Sequence, residues 1–496
     1  MTVCKMTQEV LPVRTEARPL GSLLITGLLV ITSLLCFMPL HAQPHYIHEV
    51  LEYTPAPGQL INKGPWGLPE SAESIVGTIN GSLTLGAWGG YVVFRFENPV
   101  QNHPDNPYGV DFIIFGNASA AWSEPAAVWV MQDENENGLP DDTWFQLAGS
   151  DYFFSSTVRQ YQLTYINPRS EAATDVPWED HEGNTGFVFA NSFHTQPYYP
   201  DHNRFSHIPD NHYTLSGTRI QGALNRSDPA MITSSRRAFG YADNTPRGTA
   251  PFDMPDNPYT AAIEHAGGDG FDISWAVDDE GNHVELDQIH FVKVQTAMLD
   301  HAGWMGEVSA EITGAVAVTA RPGMTGILDM VVVKDLPPVI NQTPYPLEAL
   351  AFHQGRHQPH RAIRWSSDRE DAYVDDEGWL HFTGSGSLQL NAYLDDNPEI
   401  AAVANTQLDY IPTHAGLHEP QGFRVFPNPA AEYLYVETER EARIILYDLR
   451  GIKLLEFVHH GGLQRHPTNN LKTGMYLLTI ISEKGIHHEK IMIKKP

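Results

Sequence analysis

Hydrophobic and polar residues alternate along most of the chain in short runs, and no long stretch has helical periodicity. Clear examples are Tyr91–Phe96, Val128–Met131, and Val284–Leu286 leading into Ile289–Val294. Clusters of Gly, Pro, Asn and Asp separate these runs, as turns do between antiparallel strands. The pattern therefore predicts an all-β chain built from sandwiches.

The same pattern divides the chain into three predicted units. The first spans residues 43–326 and the second spans residues 327–412. A hinge-like linker at 413–422 then leads to a third unit at 423–496. A chain of 496 residues suits about three domains of ~150 residues each, so length and pattern agree.

The first 42 residues are typical of a secretory signal peptide. Basic residues precede an apolar run from Leu23 to Met38, and cleavage is expected before Gln43. A single membrane anchor is the alternative, because the run approaches the length that spans a bilayer. No basic stop-transfer cluster follows the run, which favours the signal peptide.

Both cysteines, Cys4 and Cys36, lie in this N-terminal segment. Lipoprotein processing would use Cys36, but Leu35 precedes it where a small residue is expected. The mature chain is therefore expected to have no disulfide, no thiol nucleophile and no cysteine metal site.

The formal net charge is -29, with 18% charged and 42% hydrophobic residues. A chain of this composition can bury a core. Its charge argues against a nucleic-acid or anionic-membrane partner, because both require a basic patch. It is compatible with a solvated surface protein or with one that binds cations.

The C-terminal unit carries the most specific motifs. It opens on Phe-Arg-Val-Phe-Pro-Asn-Pro at 423–429, continues with Leu-Tyr-Asp-x-x-Gly at 446–451 and Leu-x-x-Gly-x-Tyr at 471–476, and ends in a lysine-rich strand. In this order the motifs resemble the type A C-terminal sorting domain of the type IX secretion system of Bacteroidetes. The resemblance implies export by the type IX secretion machinery, removal of this domain, and attachment to surface lipopolysaccharide.

The first unit contains ordered motifs at 85–90, 110–118, 239–244 and 270–278. Together they resemble a family of largely uncharacterised bacterial cell-surface proteins whose core looks like a jelly roll, as in galactose-binding-like modules. Some relatives lie beside genes for outer-membrane nutrient uptake, corrinoid uptake among them. The resemblance implies ligand capture, with a glycan or a corrinoid as the candidate ligand, and it brings no catalytic residues.

The middle unit carries Ile363–Asp368, Ala372–Asp375 and Gly378–Gly384. These segments resemble bacterial immunoglobulin-like repeats. The resemblance implies a spacer or adhesive module.

One acidic segment in the first unit has the spacing of a calcium loop. Oxygen-bearing residues at positions one, three and five, followed by glycine, match the first half of such a loop. The twelfth position is Trp144 instead of the bidentate glutamate of an EF-hand, so two closing aspartates would have to substitute. The alternative is a solvated turn. The candidate Ca²⁺ ligands are Asp133, Asn135, Asn137, Asp141 and Asp142.

Other acidic residues favour structural roles. The turn at 278–282 lies between two strand-like runs, where hairpin chemistry explains it and calcium is the alternative. Asp111, Glu124 and Asp272 flank predicted strands and could form a site only if the fold brings them together.

Histidine and aromatic residues supply two further candidates. His202, His207 and His212 recur every five residues, which matches neither a helix face nor a strand face, so an exposed loop is favoured over a metal site. Loop aromatics can stack on a ligand or plug the ends of a sandwich. They are Trp88, Trp122, Trp144, Tyr198 and Tyr199.

No nucleophile elbow, Walker loop or dinucleotide fingerprint is present in the sequence. Abundant carboxylates leave glycoside hydrolysis open. The first hypothesis is a non-catalytic surface protein for ligand capture or adhesion, and the alternatives are a carbohydrate-active hydrolase and a structural surface-layer component. A buried carboxylate pair in a cleft would favour the enzyme, and an aromatic-lined shallow patch would favour binding.

Overall fold

The computed structural model describes residues 45–495, apart from 253, 322–328, 411–422, 439, 449–451 and 483–484. The predicted signal peptide (1–42) and linker (413–422) lie outside the described residues. The chain forms two compact units, residues 1–409 and 410–496. Nearly all regular structure is β, which confirms the all-β prediction. In the described part of the chain, no helix is long and apolar enough to cross a membrane.

The first unit begins with strands β1 to β18 and four short 3₁₀ helices. The strands are β1 (His45–Thr54), β2 (Leu83–Thr84), β3 (Tyr91–Phe96), β4 (Val100–Gln101), β5 (Phe112–Gly116), β6 (Ala126–Met131), β7 (Trp144–Leu147), β8 (Val158–Ile166), β9 (Val176–Asp180), β10 (Thr185–Val188), β11 (His212–Arg219), β12 (Leu224–Asn225), β13 (Thr233–Ser234), β14 (Asp269–Phe271), β15 (Ala276–Val277), β16 (Gln288–Ile289), β17 (Phe291–Thr296) and β18 (Glu311–Ala317). The 3₁₀ helices are Pro69–Ile75, Pro107–Gly109, Ile273–Trp275 and Gly303–Met305.

Ten of these strands form one sheet in the order β14-β5-β18-β1-β3-β17-β6-β7-β15, with β2 beside β18. Strand β1 joins the two halves: His45 and Tyr46 pair with β18, and the remainder pairs with β3 across two register shifts. The two halves pack face to face: the ring centroid of Phe96 on β3 lies 6.3 Å from that of Phe112 on β5. Their facing side chains share one hydrophobic core, so this region is a β-sandwich.

A four-stranded sheet, β10-β9-β8-β11, covers part of the outer face of this sandwich. Its strand β11 is fastened at Gln295 of β17, whose Nε2 donates to the carbonyls of Gly89 (2.7 Å) and Ser216 (3.1 Å). A Cβ at position 217 would lie 1.9 Å from Oε1 of Gln295, so a larger residue there would displace the Gln295 side chain. The hydrogen bond from Gln295 to Ser216 therefore holds strand β11 beside β17.

The alternation pattern locates β3 to the residue, but one predicted strand is wrong. Val284–Leu286 is irregular. The Val284 amide donates to the carbonyl of Ala276 on β15 (2.9 Å), but the other polar groups bind side chains: the Leu286 carbonyl accepts from Asn102 Nδ2 (3.1 Å), and Glu285 pairs with Arg356 (2.9 Å).

Residues 329–408 continue the first unit with three small sheets, β19-β22-β23, β20-β28-β27-β24 and β21-β26-β25. The runs predicted at 363–367, 372–374 and 379–382 are strands. The strands are β19 (Asp329–Val333), β20 (Val339–Ile340), β21 (Tyr345–Pro346), β22 (Ala349–His353), β23 (Arg356–His357), β24 (Ile363–Ser367), β25 (Ala372–Val374), β26 (Trp379–Phe382), β27 (Gly386–Leu394) and β28 (Ala401–Leu408).

This middle region is joined to the large sandwich by a shared core. Phe352 of β22 is fully buried, and its ring centroid lies 5.1 Å from that of Phe239. The indole of Trp275 donates to the carbonyl of Gln354 at 3.0 Å. The two regions therefore pack as one unit, which differs from a loosely tethered spacer.

The second unit packs a three-stranded sheet, β29-β30-β33, and a four-stranded sheet, β32-β31-β34-β35. Its core contains Val436, Ile444, Leu478, Ile480 and Ile491. The strands are β29 (Phe423–Phe426), β30 (Tyr433–Thr438), β31 (Ala442–Tyr447), β32 (Lys453–His459), β33 (Gly462–Pro467), β34 (Gly474–Ser482) and β35 (Gly485–Ile493).

Candidate functional site

The outer face of the large sandwich carries a groove lined by aromatic and polar side chains. Trp129 of β6 lies between Lys293 of β17 and Gln146 of β7, which are its cross-strand neighbours. Trp144 precedes Gln146 by two residues and so projects from the same face. The groove has a volume of about 410 Å³, which suits a small ligand. Other lining residues include Tyr152, Arg159, Thr218, Asp278 and Asp279.

Gln146 has an unpaired hydrogen-bonding group in this groove. Its Oε1 accepts a hydrogen bond from the hydroxyl of Thr218 at 2.6 Å. Its Nε2 is buried and has no partner among the described residues. An unpaired buried amide costs about 1–3 kcal/mol, so this donor is expected to bind a ligand atom or an ordered water.

A second groove of about 520 Å³ lies beside the first and is lined by Glu52, Tyr91, His207 and His212 among others. Tyr91 separates the two, because its ring centroid lies 5.9 Å from the ammonium of Lys293. The Tyr91 hydroxyl donates to the carboxylate of Glu52. Burial and this hydrogen bond raise the pKa of Tyr91, so it stays neutral and polar.

The loop between β6 and β7 brings all five predicted calcium ligands together. The Asp133 carboxylate accepts hydrogen bonds from the backbone amides of Asn137 (3.0 Å) and Gly138 (2.8 Å). The Nδ2 atoms of Asn135 and Asn137 donate to Asp141 at 3.2 and 3.0 Å. The backbone amide of Glu134 donates to Asp142 at 2.9 Å. The loop runs directly into Trp144, the first residue of β7, which pairs with Met131 of β6.

A buried cluster of three carboxylates lies elsewhere in the sandwich. Ligand atoms of Glu124, Asp243 and Glu311 lie within 4.8 Å of one another, the one such set of three His, Cys, Asp or Glu found among the described residues. The backbone amide of Ser309 donates to Glu124 at 2.9 Å, and that of Glu311 donates to Asp243 at 2.8 Å. Burial raises the pKa of all three carboxyls, and Glu311 raises those of Glu124 and Asp243 further.

Each carboxylate in this cluster is at most 7% exposed. A polysaccharide therefore has no access to the acids, although they form a buried carboxylate group of the kind that would favour an enzyme. Of these three acids, only Glu124 is a candidate site residue from the sequence. The other two members are supplied by distant segments, and no local spacing connects them.

Asp111 and Asp272 have structural roles around one 3₁₀ helix. Asp111 accepts a hydrogen bond from the backbone amide of Ile273 at 2.7 Å, and Asp272 accepts one from that of Ser274 at 2.8 Å. Burial raises the pKa of Asp272 to about 6, and burial together with Asp272 raises the pKa of Asp111. The turn at 278–282 is likewise closed internally, because the Asp278 carboxylate accepts from the backbone amide of Asn282 at 2.8 Å.

The three histidines bring no common set of ligand atoms together in the described part of the chain. His202 contacts the carbonyl of Ile208 at 2.7 Å, and His207 contacts the hydroxyl of Thr54 at 3.1 Å. Among the loop aromatics, Trp144 lines the groove and Trp122 is half-buried. Those that plug the sandwich are Trp88, Tyr198 and Tyr199.

Comparison with known proteins gives one family match. Residues 424–494 match the secretion system C-terminal sorting domain, and no curated protein matches the chain. Among solved structures, latent PorU from Porphyromonas gingivalis is 11% identical over 70% of this chain and 30% of its own, with a TM-score of 0.13. The surface layer protein SbsC is 10% identical over 83% of this chain and 53% of its own, with a TM-score of 0.18. Tandem immunoglobulin domains of titin are 8% identical over 34% of this chain and 97% of their own, with a TM-score of 0.13.

The matched segment lies in the second unit, whose strands run from Phe423 to Ile493 and so span the sequence motifs. This sorting domain is the part of the chain that interacts with the type IX secretion system. The chain therefore carries a type IX secretion sorting domain at residues 424–494 and is a cargo protein secreted to the cell surface or the extracellular space.

Proposed function

We propose that the secreted chain captures a saccharide through the groove formed by Trp129, Trp144, Gln146 and Lys293. The observation that carries this proposal is that the partly exposed indole of Trp144 lies beside the buried indole of Trp129 and an unpaired buried amide in one groove. Flat aromatic faces pack against the apolar faces of sugar rings, and amide groups bind their hydroxyls. The jelly-roll resemblance of the first unit agrees with a binding role.

The proposed activity is binding without catalysis. The clustered acids Glu124, Asp243 and Glu311 are enclosed by protein outside the groove, and of the two acids that line the groove, Asp278 and Asp279, the first accepts hydrogen bonds within its own turn. A corrinoid is the competing ligand, because the motifs of the first unit resemble proteins encoded beside corrinoid uptake genes. Attachment to lipopolysaccharide after removal of the sorting domain would place the groove at the cell surface.

We further propose that the loop of Asp133, Asn135, Asn137, Asp141 and Asp142 binds Ca²⁺. Carboxylate and amide oxygens are the ligands that calcium prefers. The two asparagine amides would turn so that Oδ1 replaces Nδ2 at the centre of the loop, a rotation that keeps their shape. Bound calcium would hold Trp144 in place and so support ligand binding.

Thermal unfolding of the intact secreted chain against a ligand panel tests both proposals. The panel contains calcium, chelator, neutral and acidic glycans, and corrinoids. A ligand at a hundred times its dissociation constant adds about 2.7 kcal/mol to the stability, which raises the unfolding midpoint by roughly 5–11 °C for a domain of 150–250 residues. We expect calcium to raise the midpoint and one glycan to raise it further. Stabilisation by a corrinoid alone would contradict the saccharide proposal, and no effect of calcium or chelator would contradict the calcium site.

A further inference from the structure

The groove contains a lysine ammonium surrounded by aromatic rings. Val292 and Val294 are at most 1% exposed in the core, so alternation along β17 turns Lys293 to the outer face. Its ammonium lies 4.7 Å from the ring centroid of Trp129 and 5.1 Å from that of Trp144. These rings hold the cation at the floor of the groove by cation–π attraction.

Lys293 has no anionic partner in the described part of the chain. Its ammonium makes no hydrogen bond or ion pair with any described residue. The Glu52 carboxylate, on the far side of Tyr91, already accepts from the tyrosine hydroxyl.

The remaining charges around the groove do not pair with this lysine either. The Arg159 guanidinium donates to the carbonyl of Glu280 at 3.1 Å. The Asp278 carboxylate accepts a hydrogen bond from the backbone amide of Asn282 in its own turn, and the neighbouring Asp279 lines the groove. The Lys293 ammonium is thus a cation in this groove that has neither a hydrogen bond nor an ion pair with the described residues.

Burial lowers the pKa of Lys293 to about 8, while Glu52 acts in the opposite direction. The lysine is still mainly protonated at neutral pH. A neutral ligand that covered the groove would strip water from this ammonium without replacing it, which is costly. A ligand with an anionic group would supply the missing partner.

We infer that the groove binds an acidic saccharide whose carboxylate pairs with Lys293 while its ring lies against Trp144 and its hydroxyls reach Nε2 of Gln146. This inference rests on the proposed function and adds the ligand class. The two donors flank Trp129 on neighbouring strands, so they are about 10 Å apart at the backbone, which one or two sugar rings span. The net charge of -29 does not prevent this contact, because salt screens charges beyond about 8 Å.

Isothermal titration of the intact secreted chain with an oligogalacturonate and with its methyl ester tests the inference. The ester keeps the rings and removes the charge. The variants are Lys293→Met, which keeps the packing, and Lys293→Arg, which keeps the charge. We expect the acid form to bind roughly tenfold or more tightly than the ester, and Lys293→Met to remove that preference while Lys293→Arg keeps part of it.

The pH dependence supplies a second measure. Affinity for the acid should fall above pH ~8 as the ammonium loses its proton, whereas affinity for the ester should stay level. Equal binding of acid and ester, lost in Trp144→Ala, would overturn the acidic-saccharide inference and leave the proposed function standing. Absence of binding by both forms, together with no response to other glycans, would overturn both.

Discussion

The buried Phe352 gives the sharpest test of how the first unit is built. Its side chain is fully buried in the core of the large sandwich although it belongs to the middle region. Replacement by alanine removes a ring that packs 5.1 Å from Phe239 and leaves a cavity that rigid neighbours cannot fill. Phe→Ala substitutions in such cores cost about 3–5 kcal/mol, and the complete burial here points to the upper half of that range.

Urea unfolding of the intact secreted chain measures this loss. The matched control is Phe193→Ala, because Phe193 is 67% exposed and its loss should cost about 1 kcal/mol or less. Phe352→Leu should lose less than Phe352→Ala and guards against a variant that fails to fold. A loss below about 1 kcal/mol for Phe352→Ala would refute the shared core. Separate unfolding of the two regions in the wild-type chain would refute it as well.

Two further predictions concern calcium and pH. Asp133→Ala should abolish any rise in unfolding midpoint with calcium, measured against chelator, whereas Asp279→Ala should leave that rise unchanged. Burial raises the pKa of Glu307 from 4.5 to about 8, so the folded state holds a proton that the unfolded state releases between these values. Stability should therefore fall as pH rises through this window, by up to about 1.4 kcal/mol per pH unit from this group. Glu307→Gln should make the decline between pH 5 and 8 shallower, and an unchanged slope in urea unfolding would contradict the assignment.

The sequence predicts those features that depend on neighbouring residues. Alternation locates β3, and the acidic loop converges as the spacing implies because β6 and β7 form a hairpin around it. The C-terminal motifs are also local, and the family match confirms the sorting domain. Val284–Leu286 is the exception, since its backbone makes one bond to β15, from Val284 to Ala276, and a distant side chain, Asn102, binds the Leu286 carbonyl.

The groove depends on strand pairing that local patterns do not encode. Trp129 and Lys293 become neighbours only because β6 pairs with β17. One signal was available: a lysine between two valines of a strand must project away from the core, which places it on the outer face. The buried acids Glu124, Asp243 and Glu311 gave no such signal, because acidic residues are abundant throughout the chain.

The middle region shows a different limit. Its strands follow the predicted runs, yet nothing in those runs shows that Phe352 enters the core of its neighbour. Domain contacts are made by surfaces, and a surface phenylalanine and a core phenylalanine have the same sequence signature. The loop aromatics Trp88, Tyr198 and Tyr199 are buried for a related reason, since loops fold over the ends of the sandwich.

Calorimetric titration of the saccharide that most stabilises the intact chain tests the central claim most directly. The comparison is Trp144→Ala, in the groove, against Trp304→Ala, which removes a tryptophan that is 55% exposed outside it. Capture in the groove predicts a loss of affinity of roughly tenfold or more for Trp144→Ala and little change for Trp304→Ala. Full affinity in Trp144→Ala, with binding lost in Trp304→Ala, would contradict the account and move the binding site to the exposed aromatic residues around Trp304.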